Sequence, residues 1–370
     1  MRMCDAIQGA GTPVTLVYPY IYQKENLREN QLFKAYNTRN RFGLRMLYTP
    51  LTIKTPSLLR NIILVFAFFI ATLRILFSNA ARLQSTLIIS RDVLPLVPVI
   101  ILKKIFGRLL PVKVVIQLHE LKSKPLHRWV YRHCSGLMPN VPLAKNILVE
   151  KENISPEKII VMNAPMVDFS TTDCTKEEAR KKINYSGPQP LVVYTGKLGS
   201  DVAEVEYILE AAQLLPHYTF MLTGGKQKAV DHFLKLCKER NLKNVILTGF
   251  LSDVYSVRYY QLAADVLVSY YNTRDHMVDF NYPQKVQEYI STGNPVVTPD
   301  FKATREVIND GNAFIVGPDN ASALAEGITL AVENKPLAKT KAAAAREASR
   351  SLTFDARMKE FMDFFNGLKK

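Results

Sequence analysis

The sequence predicts an α/β protein whose strands form parallel sheets. Short apolar runs rich in valine and leucine alternate with amphipathic stretches, and glycines follow several of these runs. Runs that are apolar on both faces and separated by helices are typical of parallel sheets covered by helices on each side. A chain of 370 residues exceeds what one hydrophobic core usually organises, so two domains are expected.

The alternation is clearest in the second half. Strands are predicted at LVVYTG (191–196), YTFMLTGG (218–225), NVILTGF, ADVLVSYY and NPVVTP. Helices are predicted at EVEYILEAAQLL (204–215) and QKAVDHFLKLCKER. Because ligands in such sheets bind beyond the carboxyl ends of the strands, the glycine-rich strand exits predict a nucleotide-binding domain over residues 186–345.

The first half repeats the scheme less cleanly. A short helix is expected over the first ten residues. The predicted strands are PVTLVYP (13–19), TLIISR (86–91), KVVIQLHE (113–120), GLMPNV (136–141) and KIIVMNA (158–164). The polar stretch 170–190 ends in Gly-Pro and Pro, which is typical of a linker. The sequence therefore places one domain at 1–185 and the next after it.

The charge of the chain is concentrated in its first half. Residues 1–185 hold 27 of the 48 Lys and Arg but 12 of the 33 Asp and Glu, so the formal net charge of +15 lies entirely there. A basic half is suited to a polyanion or an anionic membrane surface, although solvated basic side chains without a partner fit the same count. The four cysteines are scattered, which favours a reducing compartment over a disulfide framework or a zinc site.

One uncharged apolar run, IILVFAFFIATL (62–73), extends past Arg74 to Phe77. Twelve helical residues span roughly 18 Å, which is short for a hydrocarbon core of about 30 Å. The flanking arginines at 60, 74 and 82 favour a helix lying in the membrane interface. A buried core helix fits the same composition, and a membrane-spanning helix is the third alternative.

A resemblance to a known family covers residues 191–330. Six segments, in this order and spacing, resemble the carboxyl domain of glycosyltransferase family 4: YTGKL, LTGGK, NVILTGFL, AADVLVSYY, YPQKVQEYISTGNPVVTP and TREVINDGNAFIVGPDNASALAEGI. The resemblance is to retaining, bacterial polysaccharide-type members and implies the GT-B fold, two Rossmann-like domains facing a cleft. It implies that the last helix, within 346–370, crosses back to the first domain, and that the first strand of the amino domain is missing.

The resemblance implies a site for a nucleotide-sugar donor. The sequence contains no Asp-x-Asp motif, so we expect cations and helix N-termini, without a metal, to neutralise the leaving diphosphate. Lys197, after Gly196, matches a phosphate-binding position. The second lysine that the family usually has falls on Val202, and Lys285 or Lys226 could replace it.

Glu288 matches the glutamate that grips the ribose in this family. A carboxylate accepts hydrogen bonds from both hydroxyls of a diol. A second glutamate expected eight residues earlier falls on Phe280, and in related enzymes of the YPxKxxEY type backbone amides near Asn281 and Tyr282 take over the sugar contacts. The resemblance also places Gly224 and Phe250 in the donor site.

In the first half, His119 and Glu120 end a predicted strand. The resemblance implies that His119 contacts the sugar or the departing phosphate across the cleft, since a histidine offers a hydrogen bond and, when protonated, a charge. Arg91, at the preceding strand end, is a candidate for phosphate or acceptor, and Glu120 is a secondary candidate.

The sequence thus predicts a metal-independent glycosyltransferase that needs no cofactor. It would move a sugar from a UDP- or GDP-linked donor to a lipid-linked or surface-polysaccharide acceptor. We expect it in the cytoplasm, peripheral on the inner face of an anionic membrane, without nucleic acid as a partner. Two alternatives are a catalytically decayed GT-B protein that acts as a binding or scaffold subunit and a basic nucleic-acid-binding protein.

Overall fold

The structure is a computed structural model of the 370-residue chain. It describes residues 1–22, 31–33, 38–52, 55–81, 85–163, 166, 169, 172–198, 203–251, 253–271, 273, 278–280 and 282–368. The chain divides into two compact units, unit 1 (Met1–Asn163 and Phe354–Lys370) and unit 2 (Ala164–Thr353).

Unit 1 contains a parallel strand pair and a three-stranded parallel sheet, with helices between them. Its strands are β1 (Thr15–Tyr22), β2 (Gly43–Thr52), β3 (Thr86–Ser90), β4 (Val112–Leu118) and β5 (Gly136–Pro139). Its α-helices are α1 (Arg2–Gly9), α2 (Ser57–Ala81), α3 (Leu96–Phe106), α4 (Pro125–His133), α5 (Pro142–Glu150) and, at the end of the chain, α14 (Phe354–Gly367).

Unit 2 is a six-stranded sheet with helices between successive strands. Its strands are β6 (Leu191–Thr195), β7 (Thr219–Thr223), β8 (Val245–Gly249), β9 (Val266–Val268), β10 (Val296–Pro299) and β11 (Phe314–Val316). Its α-helices are α6 (Lys176–Lys182), α7 (Ala203–Leu214), α8 (Gln227–Glu239), α9 (Val254–Ala263), α10 (Gln284–Ile290), α11 (Lys302–Arg305), α12 (Ala321–Glu333) and α13 (Lys335–Ser349).

The unit 2 sheet confirms the predicted α/β class. Its strand order is β11-β10-β9-β6-β7-β8, and every neighbouring pair is parallel. All residues of the central strands β6 and β7 are buried, as expected for strands with helices on both faces. The strand β11 was not predicted because its three apolar residues, Phe314–Val316, are too few to show a period.

The unit 1 sheet has the order β3-β4-β5, again parallel. The predicted strand at 158–164 is wrong, since no regular strand forms among its described residues. Ile160 and Met162 nevertheless donate backbone hydrogen bonds to Leu137 and Pro139 of β5, so the segment follows the sheet edge without a continuous ladder. The strand β2, which pairs with β1, was not predicted.

The units divide at Asn163, earlier than the predicted position at 185. The polar stretch read as a linker contains α6, which begins with a capping box: Thr175 and Glu178 exchange side-chain-to-backbone hydrogen bonds. Lys176 and Arg180 then pair with Asp265 at 2.9 and 2.7 Å. These contacts attach α6 to unit 2, although its composition resembles a loop.

The last helix, α14, belongs to unit 1 although it follows unit 2 in the chain. Lys113 donates to the carbonyl oxygens of Phe365 and Asn366 at 2.9 and 3.0 Å, which places a cation at the helix C-terminus. Arg357 donates to the carbonyl oxygens of Val161 and Met162. Residues 346–353, predicted to start this element, remain in unit 2.

The helix α2 is longer than the apolar run predicted. It extends over 25 residues, or about 37 Å at 1.5 Å per residue. Its stretch Ser57–Asn79 has a mean hydropathy of 2.2, enough in length and composition to cross a membrane, and 11% of that window is buried. Such a low buried share does not fit the buried core helix that the composition also allowed. Several of its large apolar side chains are exposed, namely Leu58, Leu59, Ile62, Phe66 and Phe77.

Candidate functional site

The strand order of unit 2 places a topological switch point at β6. The chain passes from β6 to β7 and β8 on one side, then returns so that β9 pairs with the opposite edge of β6. In doubly wound sheets, ligands bind beyond the carboxyl ends of the strands at this point. The predicted residues Gly196, Lys285 and Glu288 lie at this edge, as the contacts below show.

Two glycines bring the exits of β6 and β7 into direct backbone contact. The Gly196 amide donates to the Thr223 carbonyl oxygen at 2.9 Å. Gly224 has φ = +131°, and a β-carbon there would overlap the carbonyl oxygen of Gly196. Because L-residues with a side chain rarely adopt this φ, glycine at 224 allows the two strand exits to lie together.

The helix α10 is fixed against the end of β6 by a buried tyrosine. Tyr289 Oη accepts a hydrogen bond from the Thr195 amide at 2.7 Å and lies 3.2 Å from the Thr195 carbonyl oxygen. Burial raises the pKa of Tyr289 well above its usual range, so the phenol stays a neutral donor and acceptor. This anchor brings Lys285 and Glu288, on the same helix, to the strand end.

Lys285 places its ammonium group beside the exit of β6. Its Nζ donates to Tyr194 Oη at 3.0 Å and lies 4.2 and 5.2 Å from the ring centroids of Tyr194 and Tyr271. A β-carbon at Gly196 would lie 3.2 Å from this Nζ, so the glycine leaves room for the ammonium. The arrangement provides a positive charge at the exit of β6, which suits a phosphate.

Glu288 lies one helical turn after Lys285, with its carboxylate directed to the same strand end. Gln261, which is fully buried, donates from Nε2 to Glu288 Oε2 at 3.1 Å, and the same Nε2 lies 3.3 Å from Thr195 Oγ1. A carboxylate held by a buried amide therefore lies at the same strand end as the Lys285 ammonium.

Other predicted donor residues surround this point in unit 2. Lys197 is exposed and follows Gly196, and Lys226 is the exposed N-cap residue of the 13-residue helix α8. Phe250 directly follows β8, with 71% of its surface exposed. Tyr282 is buried just before α10. The predicted residue Asn281 and the position Val202 lie outside the described residues.

The predicted unit 1 residues gather at the carboxyl ends of β3 and β4. His119 Nδ1 lies 2.8 Å from Asn140 Nδ2. Burial and, to a smaller degree, the charge of Arg91 lower the pKa of His119, which favours the neutral imidazole. Arg91 donates from Nε to Gln117 Oε1 at 3.2 Å. Glu120 forms an exposed ion pair with Lys122 at 3.6 Å.

The charges at the unit 2 edge are suited to an anionic ligand. Lys197, Lys226 and Lys285 supply cations at or near the strand exits, and the α8 N-terminus adds the partial positive charge of its dipole. Among the described residues, no group of three or more His, Cys, Asp or Glu side chains is placed to hold a metal ion.

The sequence of unit 2 matches a known family. Residues 175–349 match the profile described as Glycosyl transferases group 1. Over this range the chain is similar to the group 1 glycosyltransferases. The matched range begins at the N-cap of α6 and ends with α13, so it includes the whole six-stranded sheet and the edge described above.

One named relative is similar to part of the chain. The chain is 29% identical over 165 residues to TuaC of Bacillus subtilis (strain 168), named as a teichuronic acid biosynthesis glycosyltransferase. That alignment covers 44% of this chain and 38% of the relative's length.

Two solved structures resemble nearly the whole chain. Sucrose-phosphate synthase from Thermosynechococcus elongatus matches with a TM-score of 0.74 and 18% identity, over 98% of this chain and 91% of that one. HepE of Anabaena in complex with UDP matches with a TM-score of 0.68 and 18% identity, over 92% and 89%. At this identity the likeness shows the fold, which is GT-B as predicted.

Sequence reasoning missed four residues that hold α10 and its side chains at the end of β6: Tyr194, Arg258, Gln261 and Tyr289. Arg258 and Gln261 are less than 2% exposed. The available signal was a charged and an amide residue within the otherwise apolar stretch VRYYQLAA (257–264). Such residues are rarely buried without partners, but a linear pattern does not show which groups they contact.

Proposed function

We propose that this protein is a glycosyltransferase that transfers a sugar from a nucleotide diphosphate donor to a glycan or lipid-linked acceptor. The observation that carries the proposal is the convergence of Lys285, Glu288 and the Gly196–Gly224 contact at the topological switch point of a group 1 domain. The donor would be a UDP- or GDP-sugar. A UDP complex is known for the structural neighbour HepE, which supports a uridine donor.

In this proposal the donor diphosphate lies over the exits of β6 and β7. Lys285 Nζ and Lys197 would bind its oxygens and stabilise the charge that builds up as the glycosidic bond breaks. Glu288 would accept hydrogen bonds from the ribose hydroxyls. Since basic side chains supply the positive charge, we propose transfer without a metal ion.

We further propose that the anomeric configuration of the sugar is retained, as the family resemblance suggests. The acceptor hydroxyl would attack from the face that the diphosphate leaves, and a phosphate oxygen would take its proton. The roles predicted for His119, Arg91 and Glu120 toward sugar or acceptor remain predictions.

We also propose that the protein works on the inner face of a membrane, with a lipid-linked or surface-polysaccharide acceptor. The exposed apolar side chains of α2 and the excess of basic residues in the first half support attachment to an anionic surface. TuaC, the matched relative, is named for teichuronic acid biosynthesis, which agrees with a cell-surface polymer as the acceptor class.

A panel of UDP- and GDP-sugars, incubated with the purified chain and a membrane extract, tests the proposed function. We expect nucleotide release with one donor, undiminished by EDTA, and a product whose anomeric coupling in NMR matches the donor. No release and no thermal shift with any donor would favour the decayed alternative, for which Phe280 at the place of a family glutamate is the specific observation.

A further inference from the structure

One buried arginine is bonded to the C-terminal end of the helix that carries Glu288. Arg258, on α9, is 1% exposed. Its Nη1 donates to the Glu288 carbonyl oxygen at 3.1 Å and to Ser291 Oγ at 2.9 Å, and its Nη2 donates to the Ser291 carbonyl oxygen at 3.1 Å. A cation at this end of α10 interacts favourably with the helix dipole and satisfies terminal carbonyls.

The same guanidinium is itself fixed from two further directions. Its carbon lies 4.6 Å from the centroid of the Phe169 ring. Asp173 Oδ1 lies 3.4 Å from Nη2, and Arg346 holds Asp173 from its other oxygen at 2.6 Å. Burial lowers the pKa of Arg258, and Asp173 opposes that shift. The Arg258 guanidinium is thus held in one position against the C-terminal end of α10.

Arg258 also determines the orientation of the Gln261 side-chain amide. Its Nη1 lies 3.5 Å from Gln261 Oε1. A cation attracts the carbonyl end of an amide and repels the NH₂ end, so Gln261 Nε2 must face the opposite way. There it donates to Glu288 Oε2 at 3.1 Å. With the amide reversed, two acceptor oxygens would face each other, and the contact would become repulsive.

We propose that Arg258 and Gln261 are positioning residues for Glu288: the arginine sets the orientation of the Gln261 amide and the end of α10, and the amide holds the carboxylate toward the donor. This inference rests on the proposed function, because it concerns how Glu288 is presented to the ribose. Neither residue needs to contact the donor for the arrangement to work.

Variants of Gln261 in the full chain test the inference, with UDP and GDP as probes in calorimetric titrations. Gln261→Met removes the side-chain N–H that donates to Glu288, with little change of volume. We expect roughly tenfold weaker nucleotide binding, the usual effect of losing a hydrogen bond to a charged group. Gln261→Glu keeps the shape but, when ionised, places a second carboxylate against Glu288.

The pH dependence of Gln261→Glu separates positioning from a packing role. Two adjacent carboxylates raise the pKa of one of them. Below that pKa the new carboxylic acid donates to Glu288 as the amide does, so nucleotide affinity should approach the parental value; above it, affinity should fall by about tenfold. The charged and titratable groups near this pair are Arg258 on α9, Lys285 and Tyr289 on α10, and Asp173 behind the arginine.

Asn294→Ala is the matched control. Asn294 is buried and donates to the carbonyl oxygens of Gln261 and Leu262 at 3.0 and 3.2 Å, so it supports the C-terminal end of α9, and no hydrogen bond joins it to Glu288 among those of the described residues. We expect a lower melting temperature but parental nucleotide affinity and no new pH dependence.

The outcomes separate the inference from the function on which it rests. If the parent binds UDP or GDP and Glu288→Ala weakens that binding, but folded Gln261→Met and Gln261→Glu bind as the parent does at every pH, the positioning role is overturned alone. A control that weakens binding as much as the Gln261 variants also overturns it. A folded parent that binds neither nucleotide overturns both proposals.

Discussion

The carbonyl oxygen of Gly196 occupies the space that a side chain on Gly224 would need. The two residues follow neighbouring parallel strands, and the Gly196 amide donates a hydrogen bond to the carbonyl oxygen of Thr223. Sequence patterning found both glycines as strand exits, but their mutual contact is a property of the folded sheet. The contact keeps the two strand exits together, at the edge where we propose that the diphosphate binds.

Gly224→Ala should destabilise unit 2. The added β-carbon meets backbone, which cannot move aside as a flexible side chain would, and the positive φ adds strain, so we expect a loss of at least about 2 kcal/mol in the free energy of unfolding. Urea titration monitored by circular dichroism measures it. Gly317→Ala is the control, because a β-carbon there meets nothing within 4 Å. Equal stability of the two variants would contradict the contact.

Lys285→Met should weaken binding of UDP about tenfold while leaving the affinity for uridine nearly unchanged, since a lysine ammonium contributes mainly through phosphate oxygens. The methionine keeps the apolar stem against the rings of Tyr194 and Tyr271. Lys302→Met, an exposed lysine in the same unit, serves as the control. An equal loss for uridine and UDP would assign the effect to packing instead.

His119 should make the chain less stable as the pH falls. Its pKa is lowered in the folded chain, so the unfolded chain binds the proton more tightly. The resulting loss in the free energy of unfolding is absent above the unfolded-state pKa of about 6.5, and it grows as the pH falls through that pKa. His119→Gln should therefore lose less stability between pH 7.5 and pH 5.5 than the parent loses, measured by urea unfolding. An unchanged pH dependence would contradict the lowered pKa.

A double change of Ile62 and Phe66 to Glu should reduce pelleting with vesicles that contain anionic lipid. Both side chains are largely exposed, 59% and 65%, so the folded state should tolerate the change. The matched control is Leu234→Glu, a half-exposed leucine in unit 2. Pelleting that survives the double change would remove α2 from the membrane contact, and parental protein that stays in solution would oppose the membrane proposal.

The sequence was most informative where one residue type determines the local structure. Five of the six strands of unit 2 and the helices α7 and α8 lie close to the predicted bounds, because valine-rich runs and glycine exits are unambiguous there. The strand predicted at 158–164 is wrong: its composition fits a strand, but its backbone bonds to β5 do not form a ladder. The boundary between the units lies earlier in the chain than predicted, because ion pairs to Asp265 attach α6 to unit 2.

Some residues of the candidate site could be predicted from the sequence, and others could not. Glu288, Lys285 and the glycines could be named from a motif, since the family pattern places them at fixed spacing. Arg258 and Gln261 could not, because their importance depends on a three-dimensional path from α9 to the end of α10. A buried arginine in an apolar helix signals a network, and the structure identifies its members.

The measurement that tests the central claim most directly is calorimetric titration of UDP and GDP into the parent, Glu288→Gln and the control Glu326→Gln. Glu326 is an exposed acid on α12. We predict that the parent and the control bind one nucleotide alike, and that Glu288→Gln binds it at least about tenfold more weakly at an unchanged melting temperature. Parental affinity in Glu288→Gln would contradict the placement of the donor at this edge of unit 2.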